Sequence, residues 1–433
     1  MMQIVVTNAH SIRNSGDAVL LQVTLQEIER CFPNATVTVA LNDPHGYTPT
    51  HGETAVASFV HWFKSNEGAR GSWKTGNLLL SPVLLGWAIL AALGHRLSGR
   101  SIGSPFHPEQ DRLLRSYFAA DLIISCPGNF FLSGSGLGLP FLLTLFSFAY
   151  GWLAGKPLYM MQQTIGPFRR AWQGAIMRWV LERVRIVAVR DDKSRQTLDE
   201  IGLRHPHCHV LPDAAFLFQG TGDAGALAAE IAQMAQAARP FVGLTVIDFG
   251  VQNRLFTGQQ AYEDAVVDAA RTFVTRHGGA IFLFPQVCGP SRAEDDRIPS
   301  RRVAQRLTDA GVPTRLIDMP WTPDALKSAY GQMDLFAGTR LHSNIFALNA
   351  GTPVTAIAYY YKTYGIMQML DLADWVLDIR TITAEAFAER LDALWLRREE
   401  MQHHLADTLP RIQAQARQAA DLIRADFATR SGR

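Results

Sequence analysis

Short β-branched runs alternate with longer helical patterns along almost the whole chain, and each run ends in a glycine- or aspartate-bearing turn. That order is the pattern of parallel α/β layers, in which a crossover helix follows each strand. Residues 4–7 form the first run, and the helix expected over 17–32 carries Val19, Leu20, Val23 and Ile28 as its apolar face. Further strands are expected at 36–41, 122–126, 158–162, 186–189 and 210–211. At 219–240 glycine and alanine replace branched residues, and a domain boundary is expected there. Strands then resume at 242–247, 280–284, 314–317, 335–336 and 354–358, with helices over 261–277, 300–310, 323–330 and 341–349. The tail from Ala384 reads as charged helices broken near Pro410. A chain of 433 residues exceeds one ordinary core. The expectation is therefore an α/β protein with two Rossmann-like domains, 1–220 and 241–383, facing across a cleft, and C-terminal helices over 384–433.

A formal net charge of +2 argues against a nucleic-acid binder of the electrostatic kind. Cys31, Cys126, Cys208 and Cys288 form no CxxC pair, so neither a zinc ribbon nor a redox dithiol is expected. The N-terminus enters the strand-like Gln3-Ile4-Val5-Val6 without a basic leader, and no signal peptide is expected. Two apolar stretches, 78–97 and 137–154, approach the length of a membrane span. Pro82, Gly86, Gly94 and His95 interrupt the first, and Pro140 and Gly151 the second. The first reads either as a core helix or as a surface leaning on a bilayer. A cytoplasmic location, free or at the inner face of the membrane, is the expectation.

The candidate residues cluster where strands end. Asn14-Ser15-Gly16-Asp17 opens the first helix, and is either an anion or hydroxyl site at its positive end or a plain cap by Ser15 or Asp17. Cys126-Pro127-Gly128-Asn129 and the glycines around 134–138 permit close approach of a ligand. Gln162-Gln163-Thr164-Ile165-Gly166-Pro167 ends another strand, and Arg169 and Arg170 then open a helix against its dipole. Val189 delivers Arg190 to a strand end, where it forks onto a carboxylate or phosphate ligand, or onto Asp191 or Asp213; Asp191 or Asp192 caps the next helix.

Gly338-Thr339-Arg340-Leu341-His342 is the counterpart in the second half. A histidine at a helix start is expected neutral and able to take a proton, beside an arginine that holds an anion. Tyr359-Tyr360-Tyr361-Lys362 offers rings for a sugar and a point charge for a phosphate, or is a packed aromatic loop. His205, His207 and His209 alternate along one extended face; side chains two apart run parallel, so a solvated edge is expected and no metal.

Taken in order, NSGDAVLL, QTIGPF, VAVRDDKSRQTL, LPDAAFLF, PQVCGPSRAEDD, GTRLHSNIFALNAGTPV and AYYYKTYGI resemble the polysaccharide pyruvyl transferase family over roughly residues 3–370. The resemblance implies a GT-B-like fold and transfer of pyruvate from phosphoenolpyruvate to a sugar as a ketal. It also implies that Arg190, Arg340, Leu341 and His342 hold the donor. One departure is Ser125-Cys126-Pro127-Gly128-Asn129, which keeps a single glycine where the family is commonly glycine-rich. The expected site therefore has His342 as principal proton-transfer residue and Asp17 as a secondary base. Its binding residues are Arg190, Arg340, Leu341, Lys362, Asn14, Gly16, Gly128, Asn129, Gln163, Gly166 and Tyr359. No cofactor is expected besides phosphoenolpyruvate as donor, and the expected partner is a sugar or lipid-linked glycan. The rivals are a nucleotide-sugar glycosyltransferase or epimerase, which needs an acid gripping a ribose (Asp334 and Asp318 lack that context), and a non-catalytic scaffold docked through 78–97.

Overall fold

The computed structural model describes residues 1–65, 72–132, 138–220, 227, 231, 239–253, 255–289 and 291–431. Glycines 134 and 136 of the expected glycine cluster lie outside these residues. The chain forms two compact units. Unit 1 comprises 1–12, 20–214 and 415–433, and unit 2 comprises 13–19 and 215–414. The division thus falls before the glycine-alanine stretch at 219–240, and segments from both ends of the sequence exchange between units.

Unit 1 is built on β1 (Gln3–Ala9), β2 (Thr36–Leu41), β3 (Thr54–Ala57), a two-stranded hairpin of β4 (Lys64–Ser65) and β5 (Ser72–Trp73), β6 (Leu122–Ser125), β7 (Gly128–Phe131), β8 (Leu158–Ile165), β9 (Val184–Val189) and β10 (Cys208–Val210). The main sheet runs β10-β9-β8-β6-β1-β2-β3 with β7 added beside β8, and its paired strands are parallel. Alternation along each strand feeds two cores, because successive side chains leave opposite faces. Val5, Leu158, Met160, Val187 and Val189 enter one core with the helix Leu139–Leu153. Ile4, Val6, Tyr159, Met161 and Ile186 enter the other with Leu21, Leu25 and Ile28 of the helix Ser15–Cys31. Each fully buried branched side chain contributes about 1.5–3 kcal/mol.

The two apolar stretches part company here. The helix Leu139–Leu153 is a core helix. The helix Ser81–Ser98 buries Leu84, Ala88, Ala91 and Ala92 but leaves Val83, Leu90 and Leu97 exposed. No helix among the described residues is long and apolar enough to cross a membrane.

Unit 2 carries β11 (Phe241–Thr245), β12 (Ala280–Leu283), β13 (Thr314–Leu316), β14 (Leu335–Gly338), β15 (Val354–Ala358) and β16 (Val376–Asp378). They pair in parallel in the order β13-β12-β11-β14-β15-β16. This is the doubly wound 3-2-1-4-5-6 order. β3, β7 and β16 had no clear signature; each is short, and β3 and β16 are sheet edges.

The last helix differs from expectation. Arg398–Ser431 is one helix with Pro410 inside it, not two helices broken there. An internal proline forfeits one backbone bond and costs about 3 kcal/mol. Leu405, Leu409, Ile412 and Ala416 are buried on either side of it, and that packing outweighs the local cost. Pro410→Ala is therefore expected to stabilise the fold, read as a rise in thermal midpoint; a fall would show that the proline relieves a bend the packing requires.

Candidate functional site

Where successive crossovers reverse direction in a doubly wound sheet, the carboxyl ends of the two central strands stand clear of covering helices, and ligands bind there. In unit 2 that point lies between β11, ending at Thr245, and β14, ending at Gly338. Thr245 Oγ1 accepts hydrogen bonds from the N–H groups of Thr339 (3.0 Å) and Arg340 (3.5 Å), tying the two strand ends together.

Arg340 then forks onto Asp296, with Nε to Oδ2 at 3.0 Å and Nη2 to Oδ1 at 2.6 Å. The side chains are 13% and 1% exposed, so water screens this pair poorly. Asp296 Oδ2 also accepts the Val287 N–H at 3.0 Å. Burial opposes the charge on Arg340, but Asp296 and the Tyr359 hydroxyl outweigh it and hold the guanidinium above its ordinary value. Tyr359 is buried at the end of β15. Burial raises its phenol, yet Lys362 and Arg340 prevail and hold it below its ordinary value. The Lys362 ammonium lies 5.9 Å from the Tyr359 ring centroid.

His342 is the second residue of the helix Leu341–Asn349, whose first side chain, Leu341, is buried. Its imidazole lies against the Cα of Gly16, where a β-carbon would stand only 2.0 Å from Nδ1 and 2.5 Å from Cγ. No other residue fits that approach. The loop carrying Gly16 is held by unit 2: Asn14 bridges antiparallel to Val287, and Cys288 N–H donates to Arg13 O at 2.9 Å. The helix begins at Ser15, earlier than expected, so Asn14 caps it rather than Ser15 or Asp17, its Oδ1 accepting the Gly16 N–H at 3.0 Å. Asp17 lies in the first turn, half-buried. Asn14, Gly16, Asp17, Arg340, Leu341, His342, Tyr359 and Lys362 thus all belong to unit 2.

The remaining candidates belong to unit 1, where β1 and β6 form the corresponding reversal. Asn8, with φ of 62°, donates to Ser125 Oγ at 3.1 Å, and Gln163 donates to the same oxygen at 3.2 Å and to Cys126 O. Asn8 Oδ1, Asn129 Oδ1 and Gln163 Oε1 are buried acceptors with no hydrogen-bond partner among the described residues. Gly128 opens β7, and Gly166, with φ of 67°, follows β8. Arg169 and Arg170 are exposed.

Arg190 is only 1% exposed. Its Nη1 donates to Asp213 Oδ2 at 2.6 Å and its Nε to Thr164 Oγ1 at 2.6 Å, while Nη2 has no partner among the described residues. Asp191 caps the next helix through the Ser194 N–H at 2.6 Å. The Arg190 fork is therefore engaged within unit 1, on Asp213 of the two carboxylates considered.

Asp296, Thr245 and Asn8 carry no local signature as site residues. Asp296 stands inside PQVCGPSRAEDD, whose paired aspartates were the available signal; Thr245 and Asn8 are polar residues at strand ends. Asp334, by contrast, accepts the Phe241 N–H and Arg239, and Asp318 pairs with Arg301, so neither reaches the carboxyl ends of β11 and β14. Breaking either buried pair should be costly, since it strands a charge. Asp213→Ala and Asp296→Ala are each expected to lower unfolding free energy by about 3–5 kcal/mol, measured by urea denaturation. A change under about 1 kcal/mol in either would show that the lone guanidinium finds water or another partner.

A family model for polysaccharide pyruvyl transferase matches residues 14–360. The chain is 27% identical over 288 residues to the amylovoran biosynthesis protein AmsJ of Erwinia amylovora, covering 66% of this chain and 68% of that protein. Its fold is similar to Anabaena Alr3699/HepE, solved with UDP-glucose, at a TM-score of 0.53 and 13% identity over the full length of both chains. It is also similar to the UDP-GlcNAc 2-epimerase of Neisseria meningitidis, at 0.58 and 10% identity over 99% of this chain and 100% of that one. Those likenesses show a GT-B-like fold and nothing about chemistry. Matched over most of its length and built to that fold, the chain belongs to the polysaccharide pyruvyl transferase family.

Proposed function

We propose that this protein transfers the pyruvyl group of phosphoenolpyruvate to two hydroxyls of a sugar, in a polysaccharide or lipid-linked glycan, forming a cyclic ketal and releasing phosphate. The observation that carries the reading is the pairing of Arg340 with His342 at the reversal point of unit 2. A guanidinium kept charged stands two residues from an imidazole seated against Gly16.

Phosphoenolpyruvate bears a carboxylate and a phosphate on one enol carbon. Arg340 binds one of these groups, the backbone at Leu341 adds an N–H at the helix start, and Lys362 supplies a point charge to the phosphate. Arg190 of unit 1, held by Asp213, has Nη2 left to donate and is proposed as an anion-binding cation of that unit. The acceptor oxygens of Asn8, Asn129 and Gln163 suit the hydroxyl donors of a sugar. Asn14 and Gly16 shape the wall beside His342.

A proton is added to the methylene carbon of the donor, which becomes the methyl group. One sugar hydroxyl bonds to the resulting electron-poor carbon, and the C–O bond to phosphate breaks with its electron pair going to phosphate. The second hydroxyl then closes the ring. Of the two hydroxyl protons, one replaces the proton placed on carbon and the other leaves with phosphate. His342 is the proposed proton-transfer residue and Asp17 the secondary base toward the sugar. The chemistry calls on no metal and no cofactor.

Incubation with phosphoenolpyruvate and a panel of free and lipid-linked glycans tests the reading, with phosphate release and a matching mass gain on one acceptor expected. Stabilisation by nucleotide sugars without phosphate release would overturn it. His342→Ala is expected to lower kcat by about 10²–10⁴-fold with the fold intact, the usual worth of a positioned acid or base. Gly16→Ala, which displaces the imidazole without removing it, should lower kcat by about 100-fold with KM for phosphoenolpyruvate little changed. Near-normal turnover in both would remove His342 from the chemistry. Arg340→Ala should weaken phosphoenolpyruvate binding by about 2–5 kcal/mol, and an unchanged donor affinity would exclude it as the anion ligand.

A further inference from the structure

The parallel sheet of unit 1 has a second end. Opposite the amide cluster at its carboxyl ends, the amino ends of β8, β9 and β10 border a basin of about 560 Å³. Arg96, Lys156, Arg183, Arg185, Arg204 and Arg430 line it, with Glu182 as the acidic member of the lining. Arg185 and Arg430 are drawn to Asp426, at 3.9 and 3.1 Å, and Glu182 faces Arg178 at 3.5 Å. Arg96, Lys156, Arg183 and Arg204 have no ion-pair partner among the described residues. The guanidinium carbons of Arg96 and Arg183 sit 5.1 and 4.9 Å from the Trp152 ring centroid, which orients them without neutralising them. His205 and His207, read from sequence as a solvated edge, lie on the same rim.

Arg96 is also in the last turn of the helix Ser81–Ser98. That helix turns Val83, Leu90, Leu93 and Leu97 outward, 54%, 66%, 38% and 87% exposed. At about 100° per residue these four fall within an arc of about 80°, a continuous stripe opposite the buried Leu84, Ala88 and Ala92. Trp179, 43% exposed, stands beside Arg183 at the basin, with the guanidinium 3.9 Å from its ring. An exposed apolar stripe running into unpaired cations, with an indole at their rim, is the composition of a face that rests on lipid headgroups. The helix does not span, so the contact is peripheral.

We propose that this end of unit 1 docks on a bilayer containing acidic phospholipid, the basin taking phosphate headgroups and the leucine stripe lying at the acyl boundary. Charge complementarity selects this occupant: a basin with cations in such excess over acids is repelled by a basic surface and gains little from a neutral one. The docking face lies at the end of the sheet remote from the strand termini that carry the amide cluster, and the proposal stands whichever donor the enzyme uses.

The test is sedimentation of the full chain with vesicles of phosphatidylcholine alone or with about one third phosphatidylglycerol, at low and high salt, the lipid charge being the variable that surface electrostatics reads. Binding is expected to the acidic vesicles, weakened by salt. The double variant Arg96→Glu/Arg204→Glu should lower the partition coefficient at least about tenfold. Leu90→Ser/Leu97→Ser should lower it as well, and both variants should keep the wild-type thermal midpoint because the altered side chains are exposed. Equal binding to neutral vesicles, no binding, or variants that bind as wild type would overturn the proposal. So would stabilisation by inorganic pyrophosphate without vesicle binding, which would assign the basin to a soluble phosphate ester.

Discussion

The pairing of Arg340 with Asp296 is the interaction on which the rest of the unit 2 site depends. A guanidinium at a strand end has little intrinsic reason to stay ordered; it is long and well solvated. Here it is largely shielded from water, and its fork is met by a buried carboxylate that is itself anchored by the Val287 N–H. Because Val287 also bridges to Asn14, the same carboxylate is linked to the loop that carries Gly16 and hence to the wall against which His342 rests. One ion pair therefore couples three segments distant in sequence: the loop after β12, the turn after β14, and the start of the first helix. Such a pair gives little net stability, since desolvation offsets attraction. What it gives is a fixed position for a positive charge, which is what recognition of a small anion requires.

The fold was largely legible because parallel α/β layers write their period into the sequence. The runs at 4–7, 186–189 and 354–358 were found because each is branched, apolar and closed by a turn. The candidate residues were legible for the same reason, since a strand end followed by a helix start is recognisable from composition alone. Arg340 and His342 could be named from that position, and Asp191 as a cap. Their partners could not. Asp296 stands 44 residues before Arg340, and nothing local distinguishes it from its neighbour Asp295. Tertiary pairing decided which of them meets the guanidinium.

Two features depart from the sequence expectation for definite physical reasons. Local propensity makes Pro410 a helix break, yet Leu405, Leu409 and Ile412 bury around it and packing prevails. Asn14 through Asp17 follow the first strand, and order along the chain assigns them to the first domain. Connectivity suggested that assignment, but backbone bonds from Ser15 to Gln286 and from Cys288 to Arg13 fasten the segment to unit 2. Sequence adjacency says where a loop begins and not which sheet it finishes against.

A parallel sheet also separates chemistries by its two ends. All its strands point one way, so residues after strands collect on one side and residues before strands on the other. In unit 1 the carboxyl-end residues of β1, β6, β7 and β8 include the neutral Asn8, Ser125, Asn129 and Gln163, and the charge of Arg190 after β9 is met by Asp213. The residues before β8, β9 and β10 include the cations Lys156, Arg183 and Arg204, with Glu182 among them. Neutral hydrogen-bonding groups suit a neutral, hydroxyl-rich ligand, and a buried cation among them needs its own counter-charge, as Arg190 has in Asp213. The second set would be a liability there and is no liability at the opposite end, where it stays partly solvated. The topology thus separates neutral hydrogen-bonding groups from a cluster of cations within one unit, and basic residues gather locally although the chain as a whole is almost neutral.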